Sequence, residues 1–457
     1  MEWKGKQVLV LGLGDTGRSM TRWLVRHGAR VRVADSRDAA PQAAALAREC
    51  PGVPVDSGPF RAASFAGVDL IAISPGVDPR TPEIAAAAGR GVPVAGDVEL
   101  FAQALPARRA KVIAITGTNG KSTVTQMTGD ICMAAGRDAI VAGNIGLPVL
   151  DALTAIEDGR AMPDVFVLEL SSFQLESMAS LAADAATVLN VTEDHLDRYA
   201  GLAAYAQAKA RIFAGGGAQV LNRDDAWSRG MLLAGRKAVT FGLDAPFAAN
   251  AWGIAAHAGA TTLMHGDTPV LASGELQVVG SHNHANALAA GALAASIGIE
   301  DAGIARGLQA FRGLAHRVER IAEVNGVAFY DDSKGTNVGS TVAALAGMPV
   351  PVVLIAGGDG KGQDFTPLAG VMGGVRGVVL IGRDRERIAA AIAATGVAIE
   401  RADSLEQAVT RAYARAKETQ AAVLLSPACA SLDMFRNYVH RAEAFAAAVR
   451  RLAGSAR

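Results

Sequence analysis

Cysteine is scarce in this chain of 457 residues: Cys50, Cys132 and Cys429 stand far apart, with no C-x-x-C spacing. That argues against a disulfide framework or a thiolate zinc site and fits a reducing, cytoplasmic setting. Aromatic residues are also few, 13 Phe, 5 Tyr and 4 Trp against 51 Gly, which suits tightly turned, Ala-rich α/β architecture rather than disorder. Net charge is missing too. The 44 basic and 44 acidic side chains cancel, so no global field would hold the chain on nucleic acid or an anionic membrane, and any phosphate must be bound by a local site. Long apolar runs do not occur either: Val8–Leu11 breaks into Gly12-Leu13-Gly14-Asp15, and the best later candidate, Ala287 to Ile297, is mostly Ala and Gly. Both fall short of the ~18 apolar residues of a membrane span. Neither nucleic acid nor membrane insertion is expected.

What is present is length enough for roughly three domains at about 150 residues each. Short β-branched runs alternate with longer Ala/Leu/Arg stretches of helical period, as in parallel strands joined by crossover helices. The strand candidates are Gln7–Leu11, Arg30–Ala34, Leu70–Ser74, Lys111–Thr116, Val165–Leu170, Ala186–Asn190, Val352–Ala356, Val375–Ile381 and Ala422–Ser426. Several are almost wholly apolar, as expected where helices cover both faces. Breaks at Pro106–Arg109 and Gly313–Arg317 divide the chain into 1–107, 108–314 and 315–457. Between Phe241 and Val279 the rhythm lapses, with Thr261-Thr262, Gly266-Asp267 and Ser273-Gly274 spaced like turns, and a small antiparallel patch is expected. Asp403 to Glu406 reads as the capped start of a scaffold helix running towards Lys417.

Five motifs carry chemistry. Gly12-Leu13-Gly14-Asp15-Thr16-Gly17, with Asp35 ending the next strand, is a dinucleotide fingerprint. It prepares a strand-turn-helix for a diphosphate, and a nucleotide-sugar fits as well as NAD, so the ligand stays open. Gly117-Thr118-Asn119-Gly120-Lys121-Ser122-Thr123 follows a buried strand and opens a helix. Its backbone N–H groups suit phosphate oxygens, Lys121 reaches the terminal phosphates and Ser122 can ligate Mg²⁺, although Ile115 replaces the first glycine of the usual pattern. Glu169-Leu170-Ser171-Ser172 and Asn190 to Asp197, including His195, follow further strands, where open α/β sheets place ligands; Glu169 and His195 are candidate Mg²⁺ ligands. His282-Asn283-His284-Ala285-Asn286 precedes an Ala-rich helix, and Asn286 is either an N-cap or a contact to a nucleotide base. Tyr330 to Asn337, His316-Arg317 and Gly357 to Gly362 are Gly-, Lys- and Asp-bearing loops suited to anions, or ordinary turns.

Together, Thr116–Thr123, Glu169–Gln174, His282-Asn283 with Asn286, His316-Arg317, Asp332–Lys334 with Thr336-Asn337, and Ser426–Ser431 resemble the Mur ligase family over essentially the whole chain. The resemblance implies a Rossmann-like domain for a UDP-sugar, a central ATPase and a Rossmann-like C-terminal domain for an amino acid. It implies an ATP-dependent amide ligase of peptidoglycan precursor synthesis, with UDP-N-acetylmuramoyl-L-alanine and D-glutamate as substrates and an acyl phosphate as intermediate. The stretches Asp331–Thr341 and Leu424–Tyr438 carry the choice of D-glutamate. Thr16, Asp35, Ser36, Arg37 and Gly76 match positions for the uridine and diphosphate. Lys121, Ser122, Asn286, Arg317, Asp332 and Lys334 match positions for ATP and its metal, with Glu169 a Mg²⁺ ligand. Asn144, Ser171 and His195 match the muramoyl-alanine end and the second metal. Thr336, Lys361, Ser431, Leu432 and Tyr438 match the D-glutamate pocket, where Tyr438 stands in place of a frequent Phe. Lys209, which nothing local distinguishes from a solvated helix lysine, matches a lysine that is carbamylated and binds the second Mg²⁺. A monomer is expected, in an open form without ligands. Remaining alternatives are a related ligase of the folylpolyglutamate-synthetase type, a nucleotide-gated ATPase without ligation, and a dehydrogenase resting on the first motif alone.

Overall fold

Apolar β-branched runs too short for helices form strands here, and the Ala-rich stretches between them cover the sheets. The structure is a computed structural model and describes residues 3–106, 110–278 and 280–455. The expected break at 107–109 lies outside the described residues.

Three sheets follow one another along the chain. The first has five parallel strands in the order Val55–Ser57, Arg30–Asp35, Gln7–Leu11, Leu70–Ile73, Val94–Ala95. The nine-stranded second sheet runs Thr268–Ala272, Ala260–His265, Ala251–His257, Ala238–Phe241, Ala218–Asn222, Ala185–Val188, Lys111–Thr116, Val165–Glu169, Ala139–Gly143. Its first three strands pair antiparallel, and the others are parallel. The third has six strands, Glu319–Val324, Val327–Asp331, Ala422–Leu425, Val352–Gly357, Val375–Ile381, Ile399–Arg401, antiparallel only at the first pair. Val8–Leu11, Ile113–Ile115 and Val353–Ala356 are buried on both faces. No helix among the described residues is long and apolar enough to cross a membrane.

The nine expected strands are present, with ends shifted by a residue or two. The antiparallel patch is present, but Thr261-Thr262 lies within the strand Ala260–His265 and the turn falls at Ala258-Gly259 instead. Ser404, not Asp403, caps the helix Leu405–Thr419, accepting from the Gln407 N–H at 3.3 Å. The polar pentad does not precede its helix. The helix starts at Ser281, so His282 to Asn286 form its first turns and Asn286 is no cap.

The first and second sheets are joined by a shared apolar core, which runs from Val8 and Trp23 through Phe101 to Phe166 and Leu168. Phe101 and Phe166 meet edge-on with ring centroids 5.1 Å apart. Two acids on the helix Asp97–Ala104 complete the joint. Glu99 accepts from the N–H groups of Ala179 and Ser180 at 2.7 and 2.9 Å. Asp97 accepts from Gln174 Nε2 at 3.1 Å, and Gln174 Oε1 accepts from the Ser171 N–H at 3.1 Å, so the clamp reaches the Glu169–Gln174 segment.

Asp97 is fully buried, and burial pushes its pKa up to about 6. A carboxyl raised in the folded state is tolerated while protonated and costs stability as pH rises through the interval between about 4 and 6, after which the cost is constant. Asp97→Asn should therefore gain melting temperature relative to the parent at pH 8 but not at pH 4, by the equivalent of about 2–3 kcal/mol. Thermal melts of both proteins across that range check it, and a difference independent of pH would refute it.

Candidate functional site

In the first sheet, the chain leaves Gln7–Leu11 through Gly12 at φ 83° and enters the helix Asp15–Arg26. Gly17 touches the Gly12 carbonyl so closely that a Cβ would sit 1.8 Å from it, whereas Gly14 faces open space. The turn thus packs tightly below and leaves room above for a diphosphate. Thr16 lies in the first turn of that helix, Ser36 and Arg37 follow the strand Arg30–Asp35, and Gly76 follows Leu70–Ile73. Asp35 is placed differently from the fingerprint expectation: 1% exposed, it accepts from the Leu13 N–H at 2.6 Å and from Arg37 Nε and Nη2 at 2.8 and 2.6 Å. The Arg37 guanidinium holds its pKa down at about 2. Asp35 braces the turn and aims Arg37 rather than facing solvent itself.

In the second sheet, the phosphate-type turn is braced by the segment after Ala185–Val188. The Thr118 N–H donates to the Asn190 carbonyl (2.9 Å) and the Asn119 N–H to Asn190 Oδ1 (2.8 Å). Thr192 and Thr118 exchange two further bonds of 3.0 and 3.2 Å. Lys121 folds back to donate to the carbonyls of Gly117 and Thr118 at 2.9 and 2.8 Å. Gly120, at φ 82°, leaves space that Asn286 fills, since a Cβ there would lie 2.6 Å from Asn286 Oδ1.

The third sheet's loops meet this turn. Arg317 Nη2 donates to Ser122 Oγ at 2.8 Å, and Asn337 Nδ2 donates to Asn119 Oδ1 at 3.1 Å. This is not the open form expected. Between the two sheets lies a cavity of about 440 Å³. Of the expected site residues, Thr118, Asn119, Gly120, Lys121, Ser122, Thr123, Asn144, Glu169, His195, Asn286, Arg317, Asp332, Lys334 and Thr336 line it. Gly117 lies beneath the turn, its carbonyl accepting from Lys121.

Burial dominates the electrostatics of this cavity. It lowers the pKa values of Lys121, Arg317 and His195, and brings Lys334 down to about 8, helped by the Arg317 charge. It raises Asp332, which accepts from Ser426 Oγ at 2.7 Å, to about 7. Glu169 accepts from Asn144 Nδ2 at 2.8 Å through one oxygen, while its buried Oε2 has no partner among the described residues. An unpaired carboxylate oxygen in the cavity that Ser122 also lines suits a hard divalent cation. Among the described residues, the acid and imidazole ligand atoms that already converge within 4.8 Å are instead those of His316, Glu319 and Asp331. There the backbone N–H of His316 donates to Glu319 and its ring bonds Asp331 through Nδ1 at 2.7 Å, so the trio braces the linker between the sheets.

Lys209 corrects the local expectation of a solvated lysine. It is 1% exposed on the helix Leu202–Ala210, its Nζ donates to the Gly117 carbonyl at 2.7 Å, and it sits 4.4 Å from the Tyr205 ring centroid. Burial, with Lys121 adding to it, drives its pKa well below the usual lysine value. Ser171 sits apart from the cavity wall as the N-cap of Ser172–Glu176, its Oγ accepting from the Gln174 N–H at 3.2 Å. Of the remaining residues, Lys361 (φ 49°) and Ser431 lie on loops joined by the Asp359–Ala430 bridge. Leu432 is 70% exposed, and the Tyr438 ring lies 3.9 Å from Lys334 Nζ. Asn190, Thr192, Asp97, Gln174 and Ser426 take part in these networks without having been singled out for those parts. Of them only Asn190, Thr192 and Ser426 stood beside a strand end, where a signal was available.

Comparison with known proteins agrees with this layout. Residues 6–96 match the Mur ligase MurD-like N-terminal domain, 115–294 the Mur ligase middle domain and 316–429 the Mur ligase glutamate ligase domain. The chain is 58% identical to the UDP-N-acetylmuramoylalanine--D-glutamate ligase of Methylobacillus flagellatus, over 98% of each chain. It is 55% identical to the protein of the same name from Nitrosospira multiformis, over 98% of this chain and 96% of that one. The UDP-N-acetylmuramate-alanine ligase MurC of Thermotoga maritima shares the fold at a TM-score of 0.60 and 20% identity, covering 98% of this chain and 99% of that one. With three consecutive domains matched and such relatives aligned end to end, the chain belongs to the Mur ligase family.

Proposed function

We propose that this protein joins D-glutamate to UDP-N-acetylmuramoyl-L-alanine through an acyl phosphate, releasing ADP and phosphate from ATP, as a cytoplasmic monomer whose domains span 1–107, 108–314 and 315–457. The observation that carries the reading is the cavity in which Lys121, Glu169 and Asn144 of the second sheet face Arg317, Asp332, Lys334 and Thr336 of the third.

A carboxylate is a poor electrophile until one oxygen can leave as phosphate. The backbone N–H groups of Gly120 to Thr123 hold the ATP phosphates, and Lys121 exchanges its loop carbonyls for the γ-phosphate, opposing the charge that develops as the alanyl carboxylate takes the phosphoryl group. Asn286, Arg317, Asp332 and Lys334 orient the nucleotide. Ser122, Glu169, His195 and a carbamylated Lys209 would hold Mg²⁺, which would supply positive charge to the phosphate oxygens. Thr16, Ser36, Arg37 and Gly76, with Asp35 behind them, retain the UDP moiety, while Asn144 and Ser171 place the muramoyl-alanine end. Thr336, Lys361, Ser431, Leu432 and Tyr438 hold D-glutamate, whose neutral amine attacks the acyl phosphate. The C–N bond forms, the amine loses its proton and phosphate departs. Lys209 is suited to carbamylation because its depressed pKa favours the neutral amine that adds to carbon dioxide with loss of a proton.

Phosphate release should require both UDP-N-acetylmuramoyl-L-alanine and D-glutamate; release without either one would point to a simple ATPase. Lys121→Ala should abolish this turnover while calorimetric titration of the UDP-sugar stays near the parent value. Lys209→Ala should be nearly inactive and partly restored by a small added carboxylate, and full activity in that variant would return Lys209 to a structural role. Lys361→Ala should raise KM for D-glutamate about tenfold or more with little change in KM for ATP. Equal effects on every substrate would place the amino-acid pocket elsewhere.

A further inference from the structure

One buried cation takes no part in the reading above. Arg441, in the first turn of the C-terminal helix Tyr438–Ser455, is 1% exposed. Its hydrogen bonds go to no carboxylate among the described residues: Nε donates to Ser333 Oγ (3.0 Å), Nη2 to the Ser333 carbonyl (2.8 Å) and Nη1 to the Cys429 carbonyl (3.1 Å). Ser333 Oγ in turn donates to the Tyr438 carbonyl at 2.8 Å, which ties the start of the helix into the same knot.

The two segments so clamped each carry ligand residues of the third domain. Ser333 stands between Asp332 and Lys334, and Cys429 lies two residues before Ser431. A guanidinium taken out of water without a carboxylate is costly, and an apolar side chain would fill such a place more cheaply. What only a planar, forked donor supplies is simultaneous bonding to acceptors on two separate segments. Burial leaves it a cation, its pKa brought down only to about 10.

We propose that Arg441 is a positioning residue for the ligation, fixing the spacing between the turn that bears Asp332 and Lys334 and the loop that bears Ser431, and so between the ATP end and the amino-acid end of the site. The inference rests on the assignment of those two segments to ATP and D-glutamate. The first domain lies outside the clamp, so binding of the UDP-sugar is independent of it.

Steady-state kinetics of Arg441→Lys and Ser333→Ala, with melting temperatures, test this. An ammonium keeps the charge but cannot span the three acceptors, so Arg441→Lys should raise KM for both ATP and D-glutamate about tenfold and leave KM for the UDP-sugar unchanged. Ser333→Ala, which removes one shared hydroxyl and leaves two of the bonds, should show the same split at about threefold, and it carries the test if the lysine variant does not fold. A purely structural role would lower the melting temperature and the active fraction while leaving all three KM values at the parent level, and that result overturns the proposal. So would an equal rise in all three. The parent protein in the same assay separates this outcome from failure of the functional reading, because it must show phosphate release dependent on all three substrates.

Discussion

The molecule is organised around a concentration of buried positive charge. Lys121 from the second sheet and Arg317 and Lys334 from the third crowd the phosphate-type turn, with the Lys209 amine packed beneath it, and burial lowers the pKa of each. The carboxylates within reach are Glu169, Asp194 and Asp332, too few to balance them once burial pushes Asp332 up to about 7. Cations in such a place disfavour one another and are held there by carbonyls and hydroxyls, as with Lys121 on Gly117 and Thr118 and Arg317 on Ser122. A polyanion entering the cavity replaces those contacts with charge-assisted ones, which are stronger. Binding energy is thus held back until a triphosphate and an acidic amino acid are present.

The two joints between domains differ for the same reason. The first and second sheets share one apolar core, sealed by Phe101 against Phe166 and by Glu99 on the Ala179 and Ser180 amides. The third sheet's apolar cores stay within its own domain, and what crosses to the phosphate-type turn is polar: Arg317 to Ser122, and Asn337 to Asn119. Polar contacts exchange readily with water, whereas opening the first joint would expose aromatic and aliphatic surface. The connection at the second joint contains His316 and Val318 with φ of 63° and 49°, conformations that are unfavourable for side chains with a Cβ. Separation at low cost therefore belongs to the third domain, the one that carries Arg317, Asp332 and Lys334.

Much of this was legible before the fold was seen, and what was not shares one physical cause. Strands buried on both faces declare themselves as apolar runs, and the turns after them carry Gly, Lys, Ser and acids because parallel sheets place ligands at strand ends. Lys121, Glu169, Asp332 and Lys334 could be found that way. Lys209 and Arg441 could not: each sits on a helix among alanines, where one polar residue per turn has the same pattern whether it faces water or a buried carbonyl. Asn286 read as either a helix cap or a nucleotide contact, and the helix begins earlier, at Ser281 with Gly280 before it, which leaves Asn286 lining the cavity. That Asp35, which ends a strand, also braces the glycine turn and holds Arg37 could be seen only in the fold.

Those hidden residues do work that surface residues cannot do. A side chain in water loses rotamer freedom when it is fixed, and fixes its neighbours only weakly. Asp97, Lys209 and Arg441 are already immobilised by packing, so their hydrogen bonds hold backbone segments without a further entropic cost. Asp97 holds Gln174 so that its Oε1 faces Ser171, Lys209 holds Gly117 beneath the phosphate-type turn, and Arg441 holds Ser333 to Cys429. Each spans elements distant in sequence, so each becomes visible only when the strands that bring those elements together have formed. The cavity residues supply the chemistry, and this deeper layer of buried polar groups sets the distances at which that chemistry can proceed.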